Sequence, residues 1–269
     1  MNSTNIQIHR SADPIRSAFQ KGKAFIPFVT CGDPDLETTK AVVRSMAANG
    51  ADLIELGIPF SDPTAEGPAV QAANLRALTG GVTADKIFDM VKELRHTVAT
   101  PMVFVTYANV VFSYGAQRFI SACAQIGING LILPDLPFEE KGEFSGLCRE
   151  YGVALISLIA PTSKNRIAAI AKEAEGFLYI VSSPDAARSK INTDITSMVK
   201  LAKQNTSIPC AVSFGNSTPE QAAKMADICD GAIAGSAIVR LTAEYGKEAA
   251  DPAGRYVRKM KDALSLDPA

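Results

Sequence analysis

The sequence predicts an α/β protein, and more specifically a single (β/α)8 barrel domain that spans residues 1–269. Short, nearly continuous apolar segments recur eight times, and such segments are typical of parallel strands that are buried on both faces. Segments with helical spacing lie between them, and no proline- or serine-rich linker or shift in composition marks a domain boundary. Eight alternating units are the number that closes a (β/α)8 barrel.

The predicted strands are each bounded by glycine, proline, asparagine or aspartate. They are AFIPFVT (24–30), ADLIELG (51–57), PMVFVTY (101–107), INGLILP (128–134), GVALISLI (152–159), GFLYIVS (176–182), IPCAVSF (208–214) and GAIAG (231–235). An open, doubly wound sheet is the alternative. We favour the barrel because no strand is followed by a G-x-G-x-x-G turn and the repeat continues evenly. A polar N-terminal segment (1–15) and an extra C-terminal helix (252–264) would cover the ends.

The helical segments show the expected apolar spacing. The segment 37–49 places Val42, Val43 and Met46 on one stripe, and the segment 83–97 repeats the pattern. In that second segment acidic residues come first and basic residues last, as the helix dipole favours.

Composition excludes several classes of protein. A net charge of -1 provides neither the basic surface of a nucleic-acid-binding protein nor a polybasic membrane patch. No apolar run approaches the roughly 18 residues of a membrane span, and the N-terminus lacks the apolar core of a signal peptide. The five cysteines are scattered among apolar residues, which predicts reduced core thiols and not metal ligands. We therefore expect a cytoplasmic protein with no metal.

Function in a barrel lies at the C-terminal ends of its strands. Glu55 is near the end of the second strand, between Ile54 and Leu56, and a carboxylate inside an apolar strand is costly unless it is paired or used. We expect Glu55 to point into the mouth of the barrel. The loop GIPFSDPTAEGP (57–68) is long enough to reach over that mouth, and its prolines and glycines are also typical of an ordinary turn. The residues alone leave Glu66 open between a functional and an ordinary loop position.

The loops after strands 7 and 8 are candidates for a phosphate site. Thr218 and Pro219 predict a helix N-cap and first turn, with Gln221 able to complete a capping box. Gly235 and Ser236 open another helix, whose N-terminal N–H groups could bind an anion. In barrels this corner is the frequent phosphate site.

Neither histidine is placed for catalysis, because His9 lies in the leading segment and His96 at a helix end. The sequence offers no Ser/His or Cys/His pair and no barrel-strand lysine for a Schiff base. The chemistry that remains is carboxylate acid–base catalysis on a phosphorylated small molecule.

Several motifs in family order carry a resemblance. FIPFVTCGDPD, IELGIPFSDPTAEGP, TYANVVFSYG, LILPDLPFEE, FGNSTPEQ and GAIAGSAIV together resemble the tryptophan synthase alpha chain family, from about residue 19 to residue 264. The resemblance implies a (β/α)8 barrel that cleaves indole-3-glycerol phosphate to indole and glyceraldehyde 3-phosphate. It also implies an alpha2beta2 heterotetramer in which the beta chain carries pyridoxal phosphate and receives the indole, so that no cofactor is expected in this chain.

The resemblance gives the two carboxylates different roles. Glu55 matches the general acid–base of the family. The second carboxylate, which binds the indole N–H, falls at Glu66, where the family usually has aspartate. The extra methylene displaces the carboxylate by about 1 Å, and a misplacement of that size can lower a rate by about 10²-fold.

The remaining matches follow from the same motifs. The indole pocket would be lined by Phe28, Thr30, Tyr107, Ile132 and Tyr179. Core packing accounts equally well for Phe28 and Ile132. Asp62 and Pro63 match the part of the loop that faces the beta chain, and Asp135 matches an acidic residue that we expect to be structural.

A second departure follows strand 6, where Pro184–Ala187 replaces a glycine-containing stretch of the family. Proline and the lack of glycine stiffen a loop, so we expect weaker or differently controlled closure over the substrate. The phosphate would then be bound by Gly215, Asn216, Gly235 and Ser236.

Three alternatives remain open. The chain could be a stand-alone lyase that releases free indole, or a catalytically weak alpha-like chain that mainly activates a beta subunit. A more distant possibility is another phosphate-binding barrel enzyme, such as a sugar-phosphate isomerase, against which the lack of a strand-end histidine or lysine argues.

Overall fold

The computed structural model describes residues 13–163, 165–181, 190–213 and 218–265. Eight parallel strands form a closed barrel in sequence order, and β1 pairs with both β2 and β8. The strands are β1 (Ala24–Thr30), β2 (Ile54–Gly57), β3 (Met102–Val105), β4 (Gly130–Ile132), β5 (Ala154–Ile159), β6 (Leu178–Val181), β7 (Cys210–Ser213) and β8 (Gly231–Ala234). The predicted (β/α)8 fold is confirmed, and each strand lies within its predicted segment.

Helices surround this barrel in the described parts of the chain. They are α1 (Pro14–Ala18), α2 (Leu36–Ala48), α3 (Pro68–Thr79), α4 (Ala84–Arg95), α5 (Ala108–Tyr114), α6 (Ala116–Gln125), α7 (Gly142–Tyr151), α8 (Ile167–Lys172), α9 (Lys190–Lys203), α10 (Pro219–Ala226), α11 (Ser236–Tyr245) and α12 (Ala250–Ser265). Short 3-10 turns occur at Phe138–Glu140, Pro161–Ser163 and Gly246–Glu248. None of the helices in the described residues is long and apolar enough to cross a membrane.

Local sequence signals account for several helix ends. The capping box predicted at α10 is confirmed, since Thr218 N–H donates to Gln221 Oε1 at 3.1 Å and Gln221 N–H to Thr218 Oγ1 at 3.3 Å. The loop predicted over 57–68 ends one residue earlier, because Gly67 is the N-cap of α3 and Pro68 its first residue. Proline is well tolerated there, since the first helical N–H has no partner within the helix.

The barrel interior is filled by side chains from alternate strand positions. Ile26, Leu53, Val103 and Ile233 belong to one buried cluster at its centre. Because side chains alternate along a strand, Glu55 points to the same interior side as Leu53. The other faces of the strands pack against the helices, including the predicted buried stripe of α2.

The sequence also led to expectations for the cysteines, the histidines, the N-terminal segment and the loop after β6. All five cysteines are buried thiols, as predicted, and His96 is exposed. Most of the N-terminal segment, including His9, lies outside the described residues, as does the Pro184–Ala187 stretch.

Candidate active site

The side chain of Glu55 is enclosed at the C-terminal end of the barrel. Its residue is 1% exposed, and its Oε1 atom has no hydrogen-bond partner among the described residues. Burial raises the pKa of the Glu55 carboxyl well above its ordinary value. A raised pKa lets a carboxyl keep its proton to higher pH, which suits a general acid, so Glu55 can supply an acid at the mouth of the barrel.

Tyr179, on β6, lies near this carboxyl. Burial, followed by the charge of Glu55, raises the pKa of the Tyr179 hydroxyl, and the side chain of Ser213 is hydrogen-bonded to it. Ser213 was missed by the sequence analysis. Its place as the last residue of β7, next to Val181 of β6, was the available signal.

An aromatic ring covers another side of the mouth. The ring of Phe28 lies over Gly57, where a Cβ atom would come within 2.5 Å of Phe28 Cζ. A Cβ atom at Gly235 would contact Phe28 at 3.4 Å. Phe28 therefore lies between the end of β2 and the start of α11, which brings a flat apolar surface next to the predicted phosphate loop.

Glu66 is partly buried and is bound to Tyr107. The Tyr107 hydroxyl donates to Glu66 Oε2 and accepts from the Ala65 N–H at 2.9 Å. Burial raises the pKa of the Glu66 carboxyl, the Tyr107 hydrogen bond lowers it in part, and the charge of Asp135 raises it. The charge of Glu66 also acts on Tyr179, so both candidate carboxylates lie around one tyrosine.

Asp135 has a structural contact, in line with its expected role. Its two carboxylate oxygens accept from the Ala108 N–H at 3.0 and 3.2 Å, at the start of α5. This contact connects the loop after β4 with the end of β3, where Tyr107 lies.

The other predicted pocket residues lie toward the C-terminal end of the barrel. Ile132 is 1% exposed and belongs to the interior cluster, so packing explains its burial fully. Thr30 is equally buried, and its Oγ1 atom lacks a hydrogen-bond partner among the described residues. Asp62 is exposed and Pro63 is partly exposed on the loop after β2.

The predicted phosphate site is only partly described. Gly235 is the N-cap of α11 and Ser236 its first residue, and the glycine has no side chain with which to cap the helix. Gly215 and Asn216 lie outside the described residues. Among the residues that the structure covers, no group of three or more His, Cys, Asp or Glu side chains could hold a metal ion.

Comparison with known proteins shows the family to which the chain belongs. Residues 16–265 match the family model described as tryptophan synthase alpha chain. The tryptophan synthase alpha chain of Lacticaseibacillus casei is 44% identical over 252 residues, which cover 93% of this chain and 95% of the relative.

Solved structures give the same result. Tryptophan synthase subunit alpha from Legionella pneumophila has a TM-score of 0.86 and 33% identity, covering 94% of this chain and 99% of that one. A chain of the tryptophan synthase α2β2 complex from Pyrococcus furiosus has a TM-score of 0.83 and 32% identity, covering 90% and 99%. The chain belongs to the tryptophan synthase alpha chain family.

Proposed function

We propose that this chain is a carbon–carbon lyase that cleaves indole-3-glycerol phosphate to indole and glyceraldehyde 3-phosphate by a retro-aldol reaction. The observation that carries the proposal is Glu55, a buried carboxyl at the mouth of the barrel with a raised pKa and one oxygen that bonds no described residue. Perturbed carboxyls in such positions are typical of acid–base catalysis.

The proton steps balance with one carboxyl. Glu55 enters protonated and transfers its proton to indole C3, which turns the ring into an electron sink. The bond between C3 and the glycerol carbon then breaks, and its electrons return to the ring. The hydroxyl on that glycerol carbon becomes the aldehyde as its proton passes to the Glu55 carboxylate. Glu55 ends the cycle protonated, which is the form that its burial favours.

Glu66 has the electrostatic role in this proposal. Protonation at C3 places positive charge on the indole nitrogen, and a carboxylate that accepts from the indole N–H stabilises that charge. The apolar walls would come from Phe28 and Ile132, with Thr30, Tyr107 and Tyr179 around the ring.

We place the phosphate at the start of α11. The free N–H groups at Gly235 and Ser236 carry the partial positive charge of a helix N-terminus, and Gly215 and Asn216 are proposed to complete the site from the loop after β7. The contact between Phe28 and the backbone at Gly235 supports a substrate whose aromatic and phosphate ends are bound side by side.

A beta partner is part of the proposal. The α2β2 assembly of the Pyrococcus furiosus relative supports a heterotetramer in which indole passes to a beta chain containing pyridoxal phosphate. We propose that this chain needs no cofactor of its own and acts in the cytoplasm. The exposed Asp62 and the partly exposed Pro63 are proposed to face the partner.

The test is to supply the purified chain with indole-3-glycerol phosphate and to measure indole and glyceraldehyde 3-phosphate, with and without a beta subunit. We expect equal amounts of both products and a marked increase in rate with the partner. Fast release without the partner would identify a stand-alone lyase. No release in either condition, together with activation of the partner, would leave the chain with a regulatory function only.

A further inference from the structure

The hydroxyl of Tyr107 forms a bridge within the loop after β2. It accepts from the Ala65 N–H at 2.9 Å and donates to Glu66 Oε2, so one oxygen holds two consecutive residues of that loop. The partners are 41 and 42 residues away from Tyr107 in the sequence. The bridge therefore connects the loop after β2 to the end of β3.

Tyr107 itself is held rigidly. It is 2% exposed, and its ring packs on Phe60 with centroids 5.0 Å apart. The next residue, Ala108, donates its N–H to the Asp135 carboxylate. A hydroxyl that is fixed in this way loses little conformational freedom when it binds a carboxylate, which makes it an effective positioning group.

The length of the Glu66 side chain matters for this contact. An aspartate would end one methylene closer to the backbone, and the same backbone would leave its carboxylate farther from the Tyr107 hydroxyl. The sequence alone suggests that the extra methylene of Glu66 moves the carboxylate and so lowers the rate. In the structure, the hydrogen bond from Tyr107 holds the longer side chain in place.

We propose that Tyr107 is a positioning residue that acts through Glu66: its hydroxyl holds the longer carboxylate in the orientation from which it accepts the indole N–H. This inference rests on the proposed function, because it assigns Glu66 to the indole nitrogen. In this proposal the ring of Tyr107 packs on Phe60, and its hydroxyl positions Glu66.

The charged and titratable groups around Glu66 set the expected pH dependence. Tyr107 contacts it from the N-cap of α5, the charge of Asp135, in the loop after β4, acts on it, and the charge of Glu66 acts in turn on Tyr179 of β6. Of these, the Tyr107 hydrogen bond lowers the pKa of Glu66, and the charge of Asp135 raises it. Loss of the hydroxyl must therefore raise the pKa of Glu66 further.

The experiment compares wild type with Tyr107→Phe, which keeps the ring and its packing on Phe60. Since Glu66 must be ionised to stabilise the indole nitrogen, the acidic limb of the kcat/KM profile should move to higher pH. The plateau should fall roughly tenfold, with the loss mainly in kcat, because the contact is needed most when charge develops. A purely structural role would lower the plateau without moving the limb.

A double-mutant cycle tests whether the effect passes through Glu66. In a Glu66→Gln background, Tyr107→Phe should change kcat by less than about twofold. An equal loss in both backgrounds would mean that Tyr107 acts on the substrate directly, and would overturn the proposal.

A second measurement needs no activity and no variant at position 107. The ¹³C chemical shifts of Tyr107 Cζ and of the Glu66 carboxyl carbon are followed against pH in the wild type. The Glu66 signal is assigned by its loss in Glu66→Gln. The two shifts should change with the same midpoint pH. Independent midpoints would overturn the proposed contact. If the midpoints are shared but the wild type releases no indole, the proposed function fails while the hydrogen bond stands.

Discussion

Polar side chains at the two ends of the barrel differ in how fully they are hydrogen-bonded. At the N-terminal end, the Asp52 carboxylate precedes β2 and accepts from the Phe25 N–H at 2.7 Å and from Lys261 Nζ at 2.7 Å. At the C-terminal end, Glu55 lies within the same strand and has an oxygen without a partner among the described residues. The segment that leads into β2 therefore carries a paired carboxylate, and the strand itself carries a carboxyl with one oxygen that no described residue bonds.

The pairing of Asp52 recurs around the N-terminal end. Asp230 accepts from the first N–H of β7 and from Lys203 Nζ at 2.7 Å. Asn129 accepts from the first N–H of β3 and from an Arg95 guanidinium nitrogen at 3.2 Å. In each case a polar side chain before an even-numbered strand joins an odd-numbered strand to a cation from a helix. These contacts link the sheet to its helical layer.

The difference indicates how the two ends divide stability and function. Buried polar groups that are fully hydrogen-bonded hold a structure together, whereas an unpartnered buried carboxyl costs stability and persists where it is used. The exception at the N-terminal end is Arg95 Nε, which lacks a partner among the described residues although its other nitrogens are bonded. Burial lowers the pKa of Arg95 to about 10.

The largest expected effect is that of Glu55→Gln. Loss of the acid–base group should reduce the rate of indole formation by roughly a thousandfold, within the range of general acid–base catalysis. Binding of glycerol phosphate should remain as in the wild type, since Glu55 is not part of the proposed phosphate site. Substantial turnover by this variant would remove Glu55 from the mechanism.

The same variant should not lose stability. Because the folded-state pKa of Glu55 is raised above an unfolded value of about 4.3, the folded protein binds the extra proton, and its free energy of unfolding falls as pH rises from that value through the folded pKa. Glu55→Gln lacks this dependence. Chemical denaturation should find the variant at least as stable as the wild type at pH 8, with the difference shrinking toward pH 4.

The opposite result is expected from Asp52→Ala at the N-terminal end. It leaves Lys261 and the Phe25 N–H without their shared partner, and removing one side of such a partly buried, charged hydrogen-bond pair costs about 1–3 kcal/mol of unfolding free energy. The kcat of the folded variant at low temperature should stay within about twofold of wild type, because the change is at the far end of the barrel.

A control on the same helix sharpens this result. Asp251 pairs with Arg255 in α12, and both side chains are more than half exposed. Exposed pairs contribute little, so Asp251→Ala should leave the denaturation midpoint nearly unchanged. Equal losses for the two variants would show that charge in α12, and not the partly buried contact between Asp52 and β1, supports the fold.

The sequence predicts features that depend on neighbouring residues, and it does not predict contacts between residues that are far apart in the chain. Glu55 was identifiable because it interrupts an apolar strand, and the barrel followed from eight local segments. The Lys261–Asp52 contact joins residues 209 positions apart, and the Tyr107–Glu66 contact depends on the path of a loop. Such contacts arise only when the barrel closes, so no local pattern signals them.

The smallest expected effect tests the apolar wall of the site. In Gly57→Ala the new Cβ would lie within 2.5 Å of Phe28 Cζ, so the ring must move, at a cost of about 1–3 kcal/mol of unfolding free energy. Because that ring is proposed to pack on the indole, kcat/KM should fall roughly tenfold. Unchanged kcat/KM alongside lower stability would assign Phe28 to core packing alone.

The matched control is Gly146→Ala, in α7, where an added Cβ meets no atom within 4 Å. Alanine is the better helix former, so this change should raise the free energy of unfolding by about 0.5–1 kcal/mol and leave kcat/KM unaltered. The two substitutions add the same methyl group, and opposite signs in stability would isolate the contact with Phe28 as the cause. If both variants instead lost stability, the loss at Gly57 could be an effect of adding any side chain to the backbone. It would then no longer be evidence for a contact between the new methyl group and the ring of Phe28.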